Sequence, residues 1–583
     1  MNLTNEQIAI IESTGDIKIN AVAGSGKTTT LIAYAKARQD KARILYIAFN
    51  KSVKIEAQKK FADKGLAHVR VETAHSLAYD YIVKGSGYKV KKEGGYKTTE
   101  IAEILGLNRN QLKHEEYVLA NHINKFITYF CNSDKEKVQE LNYEDVVYDY
   151  EAKKFAKNFK EVILKQTRRF LGKMDDGEID ITHDFYLKKF HLKRIQLPYD
   201  YILFDEGQDA SGAMLDLFLN QKAVKAIVGD THQQIYAWRY AVNSLEKASY
   251  PTFHLSSSFR FNNEIAALAK GILAWKNHYG QNGKVIINGY GDNDAIVSKA
   301  ILGRTNTALL IRAIELLIEK KEIKKLYFEG RFESYTYADE GASIYDVLNL
   351  YLKKHQLIKD KLIASMQNMQ ELEEYIEKTE DAQLALIVEV VKKYEDKLPL
   401  YIKSIKEHHV ANDDKHNADM IFSTVHRCKG MEYDEVTLTN DFITEDKIKE
   451  RIEEIGIKNL NIARLSEEIN LLYVAVTRTK NILNIPAELL PESKINAISA
   501  VPDVEKEETE PISDKAYTYE EVRKATTQAY MPWTTEEDEK LAMLYREHTT
   551  VKEIARLLQR GKGAIESRIK KLELKDIYKI ESK

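Results

Sequence analysis

Cysteine is nearly absent: Cys131 and Cys428 are the only two in 583 residues. Their distance apart argues against a zinc ribbon or a disulfide framework and suits a reducing compartment. Charge of one sign is missing as well. Lys+Arg 87 against Asp+Glu 89 leaves a net charge of −2, so any nucleic acid has to be held by a local basic groove and not by an overall positive field. No segment is apolar for the length of a bilayer, and the amino end LTNEQIAIIES lacks the basic-then-apolar order of a leader. A cytoplasmic protein with no membrane partner is expected. Repeats of solenoid period and a nuclease constellation are also missing. What is present is ordinary globular composition, 44% hydrophobic and 30% charged. The length suits three or four domains of about 100 to 200 residues each.

The chain alternates short apolar runs with helical patterns. IKINAVA (17–23) reads as a buried strand, followed by a glycine loop, the helix TTTLIAYAKAR, the strand ARILYIAFN and the helix KSVKIEAQKKF. That order predicts an α/β fold with a parallel sheet covered by helices. Residues 91–190 turn helical, rich in Lys and Tyr. The strand pattern returns in YDYILFDEGQD and KAIVGD, each an apolar run ending in acidic residues. A second α/β segment follows, interrupted by charged helical sequence over 340–410. The stretch 498–516 is acidic and proline-containing, the composition of a flexible linker.

In AVAGSGKTTT (21–30), Gly24, Ser25 and Gly26 let the backbone wrap a phosphate, Lys27 reaches toward the β- and γ-oxygens, and the Thr28 hydroxyl suits magnesium. Ala21 stands at the first glycine position of the usual pattern. Asp205 and Glu206, at the end of the strand YILF, offer a metal carboxylate and a base in adjacent positions. A solvated acidic turn is the bland alternative; the strand end downstream of a phosphate loop favours the metal and base roles. ATP and Mg²⁺ are therefore the expected cofactors.

LTNEQ, AGSGKT, DEGQD and VGDTHQQIYAWRYA, in unbroken order over residues 3–485, resemble the superfamily 1 DNA helicases of the UvrD/Rep type. The resemblance implies two RecA-like motor domains, 1–90 with 191–250 and 251–339 with 411–497. Residues 91–190 become a helical insertion and 340–410 a reduced helical accessory insertion. It implies that Gln7 reads the adenine edge, that Lys27, Thr28 and Asp205 hold phosphate and magnesium, that Glu206 is the base and that Gln233 senses the γ-phosphate. Arg260 in SSSFRF and Arg478 in LLYVAVTRTK match the arginines that the second domain brings to that phosphate. Phe259 stands where the family often has an adenine-stacking tyrosine, and Glu432 in TVHRCKGMEYDEV matches a carboxylate that helps hold the nucleotide. Thr29 replaces a frequent arginine, which moves adenine stacking toward Phe259.

The same resemblance implies a single-strand track made of Phe49, Asn50 and Lys51 in AFNKS, Thr73 and His75 in ETAHS, Tyr236 and Trp238 in QQIYAWR, and Thr424 and His426 in the second domain. Aromatic platforms suit this task because every base has a π face. The alternative for Tyr236 and Trp238 is an ordinary place in a core. ETAHSLAY, ITHDFYLKKF and VGDTHQQIY resemble the F-box DNA helicase branch, without a segment before the motor for the F-box itself. A stripped-down bacterial or phage-like helicase, nucleoid-associated in use, is expected.

Residues 517–583 resemble a Myb/SANT-like helix-turn-helix. Trp533, Leu541, Leu544, Ile554, Leu557, Leu558, Ile565 and Ile569 would form its core, and Arg560, Lys562, Arg568, Lys570 and Lys571 a basic last helix that meets DNA or a protein partner. The expected activity is an ATP-dependent 3′-to-5′ DNA helicase or translocase on single-stranded and tailed duplex DNA, in repair, recombination, replication or anti-phage defence. The alternatives are a strand-stimulated translocase that displaces proteins with little unwinding, and a nucleotide-gated scaffold. A small-molecule kinase explains neither the aromatics after VGD nor the second set of arginines.

Overall fold

The computed structural model describes residues 3–38, 42–92, 95–107, 115–236, 240–283, 285–292, 296–337 and 342–491. In the tail it describes 535–546, 549, 551–558, 560, 565 and 568–569. The chain forms two compact units, Met1–Ala500 and Val501–Lys583.

In the first unit, runs rich in Ile, Leu and Val build a six-stranded sheet. Its strands are β1 (Ile17–Ala21), β2 (Ile44–Ala48), β3 (Arg70–Thr73), β4 (Tyr201–Phe204), β5 (Val224–Gly229) and β6 (Thr252–Leu255), in the order β3-β2-β4-β5-β1-β6. Every pairing is parallel, so all six C-terminal ends share one edge, where open parallel sheets bind ligands. β2 is buried along its whole length because helices cover both faces. β6 moves the expected boundary at residue 250: it is hydrogen-bonded to β1 and completes the first sheet. As an edge strand beside β1 it buries Leu255 and half-buries Phe253 against the core of the first sheet.

The second lobe is also all parallel, in the order β10-β11-β9-β12-β13, with β9 (Lys299–Gly303), β10 (Leu326–Phe328), β11 (Met420–Thr424), β12 (Tyr433–Leu438) and β13 (Thr479–Asn484). Two short strands, β7 (Ser257–Ser258) and β8 (Asn288–Gly289), pair separately. The fold is thus α/β with two parallel-sheet lobes, as expected from the strand, loop and helix order.

Among the described residues, five α-helices of at least eight residues lie between β3 and β4, including Glu115–Asn132, Tyr150–Asn158 and Lys160–Asp175. Four more, among the described residues, lie between β10 and β11, including Met369–Thr379 and Ala382–Tyr394. The two helical groups share one apolar core, in which Phe126 and Phe170 of the first belong with Leu372 and Tyr375 of the second. His122 Nε2 donates to the Lys378 carbonyl at 3.0 Å across that junction.

The tail unit has helices Thr535–Arg546 and Val551–Leu557. Leu541, Ile554, Leu558, Ile565 and Ile569 are buried together, with Leu544 half-buried against them. Two expectations fail here. Leu557 is 46% exposed, because the inward stripe of its helix is Val551, Ile554, Ala555 and Leu558, and a residue one position before Leu558 points off that stripe. Arg560 is not offered to solvent: it is 2% exposed and makes a bidentate pair with Glu537 at 3.0 and 2.8 Å, as a buried guanidinium requires. Arg568 is half-buried. Trp533, Lys562, Lys570, Lys571 and the 498–516 linker lie outside the described residues.

Candidate nucleotide site and adjoining groove

LTNEQ is the start of helix α1 (Asn5–Glu12). Thr4 caps it by accepting from the Gln7 backbone at 3.2 Å, and Gln7 Oε1 accepts from the Thr4 backbone at 3.0 Å. That box leaves Gln7 Nε2 to donate to Thr30 Oγ1 at 3.1 Å, which holds the carboxamide against the glycine loop. The loop runs from β1 into helix α2 (Lys27–Lys36), with Gly26 as N-cap. Backbone N–H groups and the helix dipole make this end an anion site. Gly24 must be glycine: its φ is +74°, and a Cβ would come 2.7 Å from both Arg260 Cβ and Ser258 Oγ. The Phe259 N–H donates to the Gly24 carbonyl at 3.0 Å, so the SSSFR segment lies directly on the phosphate loop. Ser25 Oγ is buried with no hydrogen-bond partner among the described residues, and Thr29 is exposed.

Charges assemble at the end of β4. Lys27 Nζ lies 3.1 Å from Glu206 Oε1, and Thr28 Oγ1 lies 3.3 Å from Asp205 Oδ2. Asp205 is buried, accepts from the Tyr46 hydroxyl and accepts from the Glu206 N–H at 2.9 Å. Burial and the neighbouring Glu206 charge push the Asp205 carboxyl up. For Glu206, burial pulls the same way, but Lys27 and Lys429 outweigh it and hold that carboxyl below its ordinary range. For Lys27, burial opposes the charge, and Glu206, Asp230 and Asp205 restore it and raise its pKa. Glu206 itself sits at φ +53°, a region that costs a non-glycine residue energy and is often retained for a functional reason. Gly207, next to it, cannot carry a side chain, because a Cβ would lie 2.5 Å from Ile227 Cγ1.

After β5, Gln233 Nε2 donates to Asp230 Oδ2 at 2.9 Å, and the Tyr473 hydroxyl donates to the same oxygen at 3.0 Å from the second lobe. The other second-lobe groups arrive at the N-terminal ends of β12 and β13. Glu432 precedes β12 and Arg478 precedes β13, and the Tyr433 N–H donates to the Arg478 carbonyl at 2.9 Å. Arg260 Nε donates to Glu432 Oε2 at 2.9 Å and Nη1 to the Thr477 carbonyl at 3.0 Å. Arg478 is 1% exposed and is spent on the Val474 and Met431 carbonyls at 3.1 and 3.3 Å. Burial, with Arg260 adding to it, lowers Arg478 to about 10. Phe259 is half exposed, and its ring lies 6.3 Å from that of Tyr290, nearly parallel at 29°.

The groove begins beside this cluster. Phe49 stacks on Tyr236 at 5.4 Å, and Tyr236 lies 5.8 Å from His426. The two lobes exchange hydrogen bonds here: Tyr236 Oη to the His426 carbonyl and His426 Nε2 to the Ile235 carbonyl, both 3.0 Å. A carbonyl only accepts, so the proton is on Nε2, and burial lowers the imidazole to about 4. Asn50 and Thr73 cap helices α3 (Lys51–Asp63) and α4 (Ala74–Ala78), accepting from Val53 and Ser76. Lys51 is exposed at the first position of α3. His75, one turn from the Thr73 cap, lies 3.6 Å from Asp184 of helix His183–Leu192. Thr424 is buried at the end of β11, and Trp238 lies outside the described residues.

The structure thus brings Gln7, Lys27, Thr28, Asp205, Glu206, Gln233, Arg260, Glu432 and Phe259 to one edge. It adds Asp230, Tyr473, Tyr290, Asp209 and Lys429, which sequence reasoning had not singled out. Asp230 and Asp209 carry the only advance signal, as strand-end acids in VGD and DEGQD. Among the described residues no group of three or more His, Cys, Asp or Glu forms a metal cluster, and no helix is long and apolar enough to cross a membrane.

Two parallel-sheet lobes meeting over a phosphate loop are the build of a P-loop motor. Comparison with known proteins agrees: residues 3–254 match the UvrD/REP helicase N-terminal domain. The chain is 29% identical to F-box DNA helicase 1 of Gallus gallus, over 83% of this chain and 49% of that protein. It is 30% identical to F-box DNA helicase protein 1 of Schizosaccharomyces pombe, over 82% and 56%. It is 24% identical to the ATP-dependent DNA helicase PcrA of Leuconostoc citreum, over 50% and 41%. The chain spans about half the length of these curated relatives. On these matches it is a UvrD-like protein of helicase superfamily 1.

Proposed function

We propose that the protein hydrolyses ATP to move 3′ to 5′ along single-stranded DNA, opening tailed duplexes. The observation that carries this reading is the division of the hydrolytic groups between two lobes. Lys27 and Glu206 stand on one, while Arg260 reaches the phosphate loop from a segment tied to Glu432 of the other. Hydrolysis then requires the lobes to meet, and phosphoryl transfer is catalysed mainly by positive charge placed around the γ-phosphate.

Thr28 Oγ1 and Asp205 Oδ2 are hard oxygen donors 3.3 Å apart at the head of α2, and the unpartnered Ser25 Oγ lies in the same loop. This set fits Mg²⁺, which when bound neutralises charge on the β- and γ-phosphates. Lys27 turns from Glu206 to the phosphate oxygens. Glu206, freed and ionised, accepts a proton from the attacking water as the bond between the γ-phosphorus and the ADP oxygen breaks. Gln233, aimed by Asp230, donates to the γ-phosphate. Arg260 and Arg478 balance the charge that builds there. Gln7 meets the adenine edge, Phe259 and Tyr290 offer it their faces, and Thr29 lies at the rim. Bases of the strand stack on Phe49 and Tyr236, while Lys51 and His75 meet its phosphates.

The test is strand displacement on duplexes with a 3′ tail, a 5′ tail or blunt ends, run beside removal of streptavidin from a biotinylated strand. Opening of the 3′-tailed duplex alone is expected. Streptavidin removal with little opening would favour a translocase that clears proteins, a reading supported by the small 340–410 insertion, whose longest helix has 13 residues. Preference for the 5′ tail would overturn the direction.

A further inference from the structure

In the strand order β3-β2-β4-β5, Tyr236 follows β5, Phe49 follows β2 and His75 follows β3, the edge strand. β2 and β3 are paired in register, Ala48 with Thr73, and neighbouring strands lie about 4.8 Å apart. Phe49 and His75 therefore leave the sheet side by side, and the groove runs outward along one edge.

The helix that carries His75 does not end there. α4 runs directly into a π turn, Tyr79–Val83, a wide winding that is rare overall and frequent at functional sites. Tyr79 stands one turn beyond His75 on the same face. Tyr79 is 44% exposed and Tyr81 41%, and both rings rest on one stripe of helix His183–Leu192. Tyr79 meets Tyr186 edge-on at 6.1 Å, and Tyr81 lies flat on Phe190 at 5.3 Å and 20°. Tyr186 and Phe190 are buried, so the tyrosines lie over buried rings with their outer sides in solvent. The Tyr81–Phe190 pair repeats the spacing and tilt of the groove pair Phe49–Tyr236, 5.4 Å and 25°. A ring already held in place loses little freedom when a base stacks on it. The carboxylates nearby are occupied: Glu72 pairs with Lys54, Asp80 with Arg70 at 2.9 Å, and Asp184 lies 3.6 Å from His75. Lys84, at the far end of the π turn, is exposed.

We propose that the strand track continues past His75 onto Tyr79 and Tyr81, whose rings stack the next bases of single-stranded DNA. The proposal rests on the function proposed above. Stacking suits a strand bound without regard to sequence, because every base has a π face, and Lys84 offers a cation to the phosphates that follow.

The test is fluorescence anisotropy of labelled oligo(dT) of increasing length with the full chain, as wild type, Tyr79→Ala, Tyr81→Ala, both Ala substitutions together, and Tyr79→Phe combined with Tyr81→Phe. Wild-type affinity should rise with length to a plateau. Each Ala substitution should raise the plateau Kd about fivefold or more and move the plateau to a shorter strand, while the shortest strand that binds is unaffected. The double Phe variant keeps both rings and should stay within about twofold of wild type. Weakening by the same factor at every length would make the two rings props for the helix pair and overturn the proposal. Wild-type Kd values in the Ala variants, beside a weakened Tyr236→Ala, would end the track at His75 and leave the proposed function standing. A wild type that binds no oligo(dT) would overturn the proposed function first and this extension with it.

Discussion

The nucleotide edge and the groove beside it are built from ends of the same parallel strands, yet they hold their side chains differently. At the nucleotide edge, side chains hold one another: Lys27 with Glu206 and Arg260 with Glu432 as ion pairs, and the Thr28 hydroxyl against Asp205. In the groove, polar groups are spent on backbone. Asn50 caps α3, Thr73 caps α4 and His426 donates to Ile235. The ring faces of Phe49 and Tyr236 and the exposed Lys51 are what remains to offer. On the proposed function, a compact polyanion meets preassembled charge, which is exchanged pair for pair when it binds. On the same proposal, a strand bound without regard to sequence meets rings, which need no matching partner.

The largest effect is expected at Glu206. Glu206→Gln keeps the shape and removes the proton acceptor, so the hydrolysis rate should fall at least 100-fold. A fluorescent ATP analogue should still bind, because Lys27 loses a competitor. If the rate survives, the paired charges are structural and the edge is no more reactive than the groove.

A middle-sized effect separates the two arginines. Arg478 is buried, and Arg478→Ala would empty a buried site and take a donor from the Met431 carbonyl, at about 1 to 3 kcal/mol for a buried group left unsatisfied. Melting temperature and activity should fall together. Arg260→Ala, whose side chain is less enclosed, should lower kcat tenfold or more with a melting temperature within about two degrees of wild type. Equal thermal losses would mean that both arginines serve mainly as struts.

The smallest effect belongs to the groove. Tyr236→Ala should weaken oligo(dT) binding by about 1 to 3 kcal/mol, read as a shift in Kd by fluorescence anisotropy. The KM for ATP should move by a smaller factor. A larger effect on ATP than on DNA would place Tyr236 in the nucleotide site and dissolve the distinction between the two regions.

This difference also decides how much could be read without a structure. AGSGKT and DEGQD are legible because their geometry is local: a strand end, a positive-φ glycine and a helix start fix where Lys27 and Asp205 point. The two parallel sheets are legible from apolar runs ending in glycine or acid. Lys429, Tyr473 and Tyr290 are not, because each matters through a group distant in sequence: Asp209 and Gln233, Asp230, and the Phe259 ring. β6 misleads for the same reason, since its place beside β1 is a tertiary choice. In the tail, Arg560 reads as a surface cation until Glu537, 23 residues earlier, is seen to bury it.

If the proposed function holds, the charge-paired edge burns ATP for the benefit of the ring-lined groove. Steady-state ATP hydrolysis with no nucleic acid, single-stranded DNA, duplex DNA and RNA, with Lys27→Ala as the blank, decides this. A large rise with single-stranded DNA, absent from the blank, is the predicted result. Equal hydrolysis in all four mixtures, by protein that is folded and binds ATP, would contradict it.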